Sequence, residues 1–312
     1  MRDRLPEACR LCGRKVRPPE IIGQVVYGGK PEQKFYRCPH CEVAFLFPPM
    51  TEAEERGFYT GEFEKFMEAR SGGDLDWSGP ESHIKTNYWH YQRRLRFFAE
   101  MLAPGKRVLE IGCSSGFMLL PLQAQGLEVI GVEPSGGFVT FLKHHHIPVY
   151  ATLSDLRAHC EITQFDLVLH FFVLEHVRHP ISFLQEAYDL VGAGGHMIFE
   201  VPNWNDPLLS IYDIPAFQKF YWSVAHNYYF NRPSLEYILK KIAADYEIIN
   251  EQRYDLSNHV TWALEGKPGG QGKYSTCFTR ELEEAYRRSM VQTGYCDTLI
   301  GRIHKGRAGG EA

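Results

Sequence analysis

Short apolar runs recur along the middle of this chain at Val108–Ile111, Val129–Val132, Val149–Ala151, Phe165–Phe172 and His196–Val201. Helix-compatible stretches near 117–125, 135–145 and 180–191 separate them. Runs without polar alternation ask for burial on both faces, and the intervening helices supply the two covering layers. This rhythm restricts residues 107–203 to an α/β, Rossmann-like doubly wound sheet. Farther along, a helix over Pro233–Ala244, a strand over Tyr246–Tyr254, a helix over Thr279–Gln292 and a strand over Thr298–His304 are expected to complete it. A helix over His83–Leu102 precedes the first strand, and a loop, SGGDLDWSGP, precedes that helix.

The first strand opens into RVLEIGCSSGFMLL (107–120), where Gly112 and Gly116 flank Cys113, Ser114 and Ser115. The dinucleotide fingerprint G-x-G-x-x-G uses a middle glycine to let backbone approach a pyrophosphate. Ser114 stands in that place, which argues against NAD. Glu133 ends the next strand in VIGVEPS, 21 residues after Gly112. A carboxylate there accepts hydrogen bonds from both ribose hydroxyls, a feature common to every ligand with an adenosine ribose, NAD included.

The element Glu110-Ile-Gly112-Cys113-Ser114-Ser115-Gly116 resembles motif I of class I S-adenosylmethionine-dependent methyltransferases. FDLVLHFFVLEHVRHP (165–180) and VGAGGHMIFEVPN (191–203) are similar to the fourth- and fifth-strand regions of the same superfamily. The resemblance implies S-adenosylmethionine held by Glu110, Gly112, Cys113, Ser114, Gly116, Glu133 and Pro134. It further implies Asp155 at the adenine amine, with His170 and Phe171, just past the buried part of their strand, bordering the cofactor. Glu175-His176 is read as a structural or cofactor-shell pair.

Eight cysteines sit at 9, 12, 38, 41, 113, 160, 277 and 296. Cys9-x2-Cys12 and Cys38-x2-Cys41, with 25 residues between them, place two thiols on each of two tight turns, the pattern of a tetrahedral structural Zn2+. Four protein ligands leave water no coordination position, so this ion is expected to be structural rather than catalytic. Residues 1–50 carry nine Lys/Arg against five Asp/Glu. Four thiolates would bring that surplus close to neutrality, a poor footprint for nucleic acid.

Together the four-cysteine unit, motif I and HNYYFNRPSL (226–235) resemble the zinc-containing sugar C-methyltransferases, whose E-H-x-x-Y-F element supplies a His as proposed base. His226, Tyr229 and Phe230 match, and Ala225 stands where the Glu would be. The acceptor must lose a proton, which a base of near-neutral pKa does best, so His226 is the expected catalytic base, with Tyr228 or Tyr229 orienting it or the acceptor. The implied acceptor is a small molecule, a nucleotide-linked sugar or related glycan precursor, methylated at carbon or oxygen. The alternative is an RNA methyltransferase that holds RNA with its zinc ribbon. HFFV, in place of an N/D-P-P-Y/F element after the fourth strand, counts against that alternative.

The expected organisation is a zinc-binding unit (1–50), a helical linker or lid (51–104), a methyltransferase domain with substrate-side insertions (105–305) and a tail (306–312). No apolar run approaches the ~20 residues that span a bilayer, and MRDRLPEACR lacks an apolar signal region. A cytoplasmic location with no membrane partner is the resulting expectation. His83, His90 and Tyr91 could cap the cofactor or simply lie on a helix surface, and GKPGGQG (266–272) reads as a flexible loop.

Overall fold

A computed structural model describes residues 5–71 and 79–307. Three antiparallel strands, β1 (Glu20–Gly23), β2 (Lys34–Arg37) and β3 (Ala44–Phe47), form an N-terminal sheet. The central sheet is built from β4 (Arg107–Ile111), β5 (Glu128–Val132), β6 (Val149–Tyr150), β7 (Phe165–Phe171) and β8 (Val191–Pro202). Next in the chain, the short strand β9 (Tyr228–Tyr229) leaves this sheet and pairs with β3 through Ala44 and Phe45. The last strands, β10 (Tyr246–Glu251) and β11 (Thr298–His304), return to the central sheet.

The central order is β10-β11-β8-β7-β4-β5-β6. Strands β4 to β8 are parallel, and β11 lies antiparallel between β8 and β10. The late strands therefore complete the doubly wound sheet and make it mixed. Strand order runs outward from β4 in both directions, so the C-terminal ends of β4 and β7 mark the point where the crossovers diverge. Open α/β sheets bind their ligands at such a point.

Both faces of β7 are buried, as its unbroken apolar run requires. Leu167, Leu169 and Phe171 pack with Phe98, Met118 and Ile198, whereas Val168 packs on the opposite side with Leu184 and Phe199. His170 joins that opposite side, stacked on Phe199 with ring centroids 4.7 Å apart. It lies within the strand and is fully buried, which corrects the expectation that it lies past the buried part.

Several boundaries differ for local reasons. The first long helix spans Pro80–Leu95 because Pro80 follows an extended Gly79, and because the buried Phe97 and Phe98 turn the chain into the core. A 3-10 turn, Ala99–Met101, fills the remainder of the expected helix. β7 stops at Phe171, since Phe172 adopts φ 56° and cannot continue a strand. The N-terminal sheet is not complete at residue 50, because β9 supplies its fourth strand. Most of the SGGDLDWSGP loop (residues 72–78) and of the tail (308–312) lies outside the described residues. The 266–272 loop is pinned rather than loose. Gly272 N–H donates to Asp255 Oδ2 at 2.9 Å, and Asn258 Nδ2 donates to the Gly269 carbonyl at 2.7 Å.

Candidate functional site

At the end of β4 the backbone alternates into the left-handed region, at Gly112 (φ 75°), Ser114 (φ 50°) and Gly116 (φ 77°). A Cβ at Gly112 would stand 2.6 Å from Val173 Cγ2, and one at Gly116 would stand 2.3 Å from Leu142 Cδ2. The two glycines are thus required by both backbone conformation and packing. Ser114 pays the steric cost of that conformation, about 1–2 kcal/mol for a non-glycine residue. Its N–H donates to Glu133 Oε2 at 2.8 Å, while Ser135 N–H donates to Glu133 Oε1 at 2.8 Å. One carboxylate therefore ties the loop to the end of β5.

The strained serine leads to a direct expectation. Ser114→Gly keeps the loop conformation and ligand affinity, whereas the β-branched Ser114→Val weakens ligand binding at least about tenfold. Calorimetry on the two variants checks it, and equal affinities would show that the loop does not need this conformation.

Glu110 lies on β4 and is 2% exposed, with Oε2 lacking a hydrogen-bond partner among the described residues. Burial, with the Glu133 charge adding to it, holds its pKa well above the usual carboxylate range. A buried oxygen left without a donor is costly, so this one fits a donor that arrives with a ligand. Cys113 corrects an expectation: its thiol is fully buried over Gly131, where a Cβ would stand 2.4 Å from Sγ. Its N–H faces the Val132 carbonyl at 3.2 Å and its carbonyl accepts from Gly116 N–H, so neither thiol nor backbone is presented to a ligand. Pro134 is exposed beside Glu133. Asp155 sits in the first turn of the helix Leu153–His159 after β6, accepting from Thr152 Oγ1 at 2.8 Å. Phe171 closes β7 under the Arg94 guanidinium, 4.2 Å from the ring centroid.

His83 is the helix residue that reaches the loop. Its Nδ1 lies 2.8 Å from Ser115 Oγ, and its ring packs 5.2 Å from Phe138. Burial lowers its pKa to about 4, so it is neutral at pH 7. His90 is instead stacked on Trp89, and the Tyr91 hydroxyl accepts from Gln125.

Beyond the end of β7 the chain brings together residues that the sequence reading kept apart. Glu175, His176 and His226 place one ligand atom each within 4.8 Å of the others. Glu175 is fully buried, and neither carboxylate oxygen has a partner among the described residues. Burial pushes its pKa up to about 8. His226 is 8% exposed, and its Nδ1 has no hydrogen-bond partner among the described residues. Burial, then the neighbouring His176 and Arg70, holds its pKa well below the usual histidine value. The Glu175 carbonyl accepts the N–H groups of Asn227 and Tyr228, which fixes the His226 segment against the end of β7. Tyr59, from the segment before the first long helix, donates to the Ala225 carbonyl at 2.7 Å and lies 2.9 Å from His176 Nδ1.

The two tyrosines beside His226 are corrected. Both lie in β9, and their hydroxyls are engaged by backbone. Tyr229 Oη accepts from Ser223 N–H at 3.0 Å and donates to the Tyr221 carbonyl. Tyr228 Oη donates to the Arg178 carbonyl at 3.2 Å. Strand pairing and these bonds make them packing residues. The sequence signal for Glu175 and His176 was their place just past a strand end, but nothing local linked them to a histidine 50 residues away.

The four N-terminal thiols converge. Sγ separations are 3.8 Å for Cys9–Cys41 and 3.6 Å for Cys12–Cys38, and all four ligand atoms lie within 4.8 Å of one another. A tetrahedron of Zn–S bonds near 2.3 Å has edges of about 3.8 Å. The two turns repeat each other: Gly13 N–H donates to the Cys9 carbonyl and Glu42 N–H to the Cys38 carbonyl, with Gly13 and Glu42 at φ 71° and 62°. Leu11 N–H and His40 N–H point at the Cys9 and Cys38 sulfurs. The thiols fit a tetrahedral ion closed to solvent chemistry. From the same unit, Arg10 donates to Asn227 Oδ1 at 2.9 Å, beside His226.

A ubiquinone biosynthesis O-methyltransferase from Alkalilimnicola ehrlichii is 29% identical over 166 residues, 50% of this chain and 65% of that protein. One from Ruegeria pomeroyi is 34% identical over 107 residues, 32% of this chain and 43% of that protein. The match thus covers less than two-thirds of these relatives' length. Among solved structures, a SAM dependent methyltransferase from Archaeoglobus fulgidus covers 72% of this chain and 97% of its own at 17% identity, with a TM-score of 0.49. Among the described residues, no helix is long and apolar enough to cross a membrane. A family model described as a methyltransferase domain matches residues 85–250, more than half of the chain and the part that carries the β4 loop, Glu133 and the end of β7; the chain belongs to that methyltransferase domain family.

Proposed function

We propose that the protein transfers a methyl group from S-adenosylmethionine to a small-molecule acceptor, a nucleotide-linked sugar or related glycan precursor. The observation that carries this reading is the β4 loop tied by its Ser114 N–H to the Glu133 carboxylate at the sheet's divergence point. Glu133 would hold the ribose hydroxyls, and the unpartnered Glu110 oxygen would accept from the ligand's amino group. When bound, the cofactor supplies an electrophilic methyl on a sulfonium. The chain's own contribution is to hold the acceptor oxygen or carbon in line, to exclude water and to take up the departing proton.

The proton is handled at the cluster of Glu175, His176 and His226, with His226 as the candidate base. The relatives' O-methyltransferase name supports oxygen as the atom methylated. The four-cysteine unit is read as a structural zinc site that braces the His226 segment through Arg10 and the β3–β9 pair.

Nucleotide sugars and phenolic hydroxyl compounds, screened with labelled methyl donor, test the reading. Label transfer to a nucleotide sugar is the expected result, and transfer confined to phenols would redirect the acceptor class. With an acceptor in hand, His226→Ala is expected to spare cofactor affinity and to slow turnover by ~10²-fold or more. Full activity in that variant would remove His226 from the proton-handling site.

A further inference from the structure

We infer that Glu175, His176 and His226 form a second metal site, distinct from the four thiols, that takes a divalent cation of the zinc class. The proposal goes beyond the methyl-transfer reading and does not depend on the identity of the acceptor.

Glu175 contributes a fully buried carboxylate whose two oxygens have no donor among the described residues. His226 contributes a buried Nδ1 that likewise has no partner. The three ligand atoms lie within 4.8 Å of one another, yet no hydrogen bond joins these side chains among the described residues. Buried acceptors that converge without bonding to each other suit one shared partner, and a cation satisfies all of them at once.

The surroundings of His176 support the assignment. Its Nδ1 lies 2.8 Å from the Ala225 carbonyl and 2.9 Å from Tyr59 Oη, and Tyr59 itself donates to that carbonyl. The proton therefore belongs on Nδ1, which leaves the Nε2 lone pair free. Metal-binding histidines are fixed in this way, with the second ring nitrogen donating to a backbone carbonyl. Two imidazoles and one carboxylate suit zinc, iron(II) or related ions and leave further positions for an exogenous oxygen.

The charges nearby are mixed. Arg70 faces His226, while Arg94 and Arg253 face Glu175 together with Glu200. Glu200 is already committed to Arg93 and Arg94 at 2.7 and 2.9 Å, and Asp297 pairs with Arg253 at 3.4 Å. Glu175 is consequently the carboxylate of this group that has no cation of its own. With the ion seated, His226 is a ligand, and this role replaces the free-base role given to it in the methyl-transfer reading. An acceptor hydroxyl bound at an open position would then lose its proton to water more readily, as metal-bound water does.

Elemental analysis tests the site. The full chain is dialysed against zinc chloride alone and gel-filtered, and zinc per chain is measured for the wild type, Glu175→Gln and His226→Ala. The expected result is one ion fewer per chain in each variant than in the wild type. Equal content in all three chains overturns the proposal.

Titration of the metal-free wild-type chain with cobalt(II) gives a check that needs no variant. The expected spectrum contains one set of bands with thiolate-to-cobalt charge transfer and a second set without it. Saturation with thiolate bands alone also overturns the site. Tyr59→Phe is expected to weaken cobalt binding at the second set about 10-fold, because its hydroxyl helps to hold His176. None of these readouts uses methyl transfer, so their failure leaves the reading of the β4 loop untouched.

Discussion

Replacing Glu133 with Ala is expected to abolish measurable S-adenosylmethionine binding while the far-UV circular dichroism stays native. This carboxylate shapes the loop by accepting Ser114 and Ser135 N–H groups at 2.8 Å each, and it would also receive the ribose hydroxyls. Hydrogen bonds to charged groups contribute about 1.5–3 kcal/mol apiece, so losing two such contacts to the ligand weakens binding by roughly 10²-fold or more. Loss of the loop anchor adds to that, because Ser114 holds an unfavourable φ that the Glu133 bond helps to maintain. Glu133→Gln separates the two contributions, since the amide oxygen still accepts one N–H. Intermediate affinity is expected for Gln, with none detectable for Ala by calorimetry. Native affinity in the Ala variant would remove this carboxylate from the cofactor site.

The parts of this site that could be read from the sequence were the local ones. The β4 loop, its glycines and Glu133 follow from strand ends, turn chemistry and a fixed spacing, all of which lie within 27 residues (107–133). Four thiols on two repeated knuckles carry their own geometry in their spacing. The misplacements share a different origin. His170 sits in a strand buried on both faces, where apolar continuity hides which face a residue takes, and it proved to stack on Phe199. Tyr228 and Tyr229 looked like substrate-facing aromatics, but β9 crosses to the N-terminal sheet, a pairing that bridges about 180 positions and leaves no local signature. Glu175 reads in sequence as a structural or cofactor-shell residue, because its isolation from donors becomes visible only when Tyr59, Ala225 and His226 are assembled around it. Long-range polar convergence, rather than secondary structure, was what the sequence withheld.

That crossing strand ties the N-terminal unit to the segment that carries His226, and Cys38→Ser tests the connection. A structural zinc held by cysteines contributes on the order of 10–16 kcal/mol in small metal domains, so removal of one thiolate from a closed set undoes local folding. Cys38 anchors the second knuckle, immediately before β3, and β3 holds β9 through Ala44–Tyr229 and Phe45–Tyr228. Arg10, set between the first two cysteines, donates to Asn227 Oδ1 and to the Leu46 carbonyl. Loosening the knuckles should therefore release Asn227 and, with it, His226. The β4 loop depends on none of these contacts. The expected outcome for Cys38→Ser is loss of the thiol-bound ion and a thermal transition lowered by at least about 5 °C. Cofactor affinity should stay within about threefold of the wild type while methyl transfer is lost. If metal content, stability and turnover all stayed normal, the four thiols would not be a metal site and the N-terminal sheet would not position His226. If cofactor binding disappeared along with turnover, the two units would fold as one, and the boundary between them near residue 105 would have no energetic meaning.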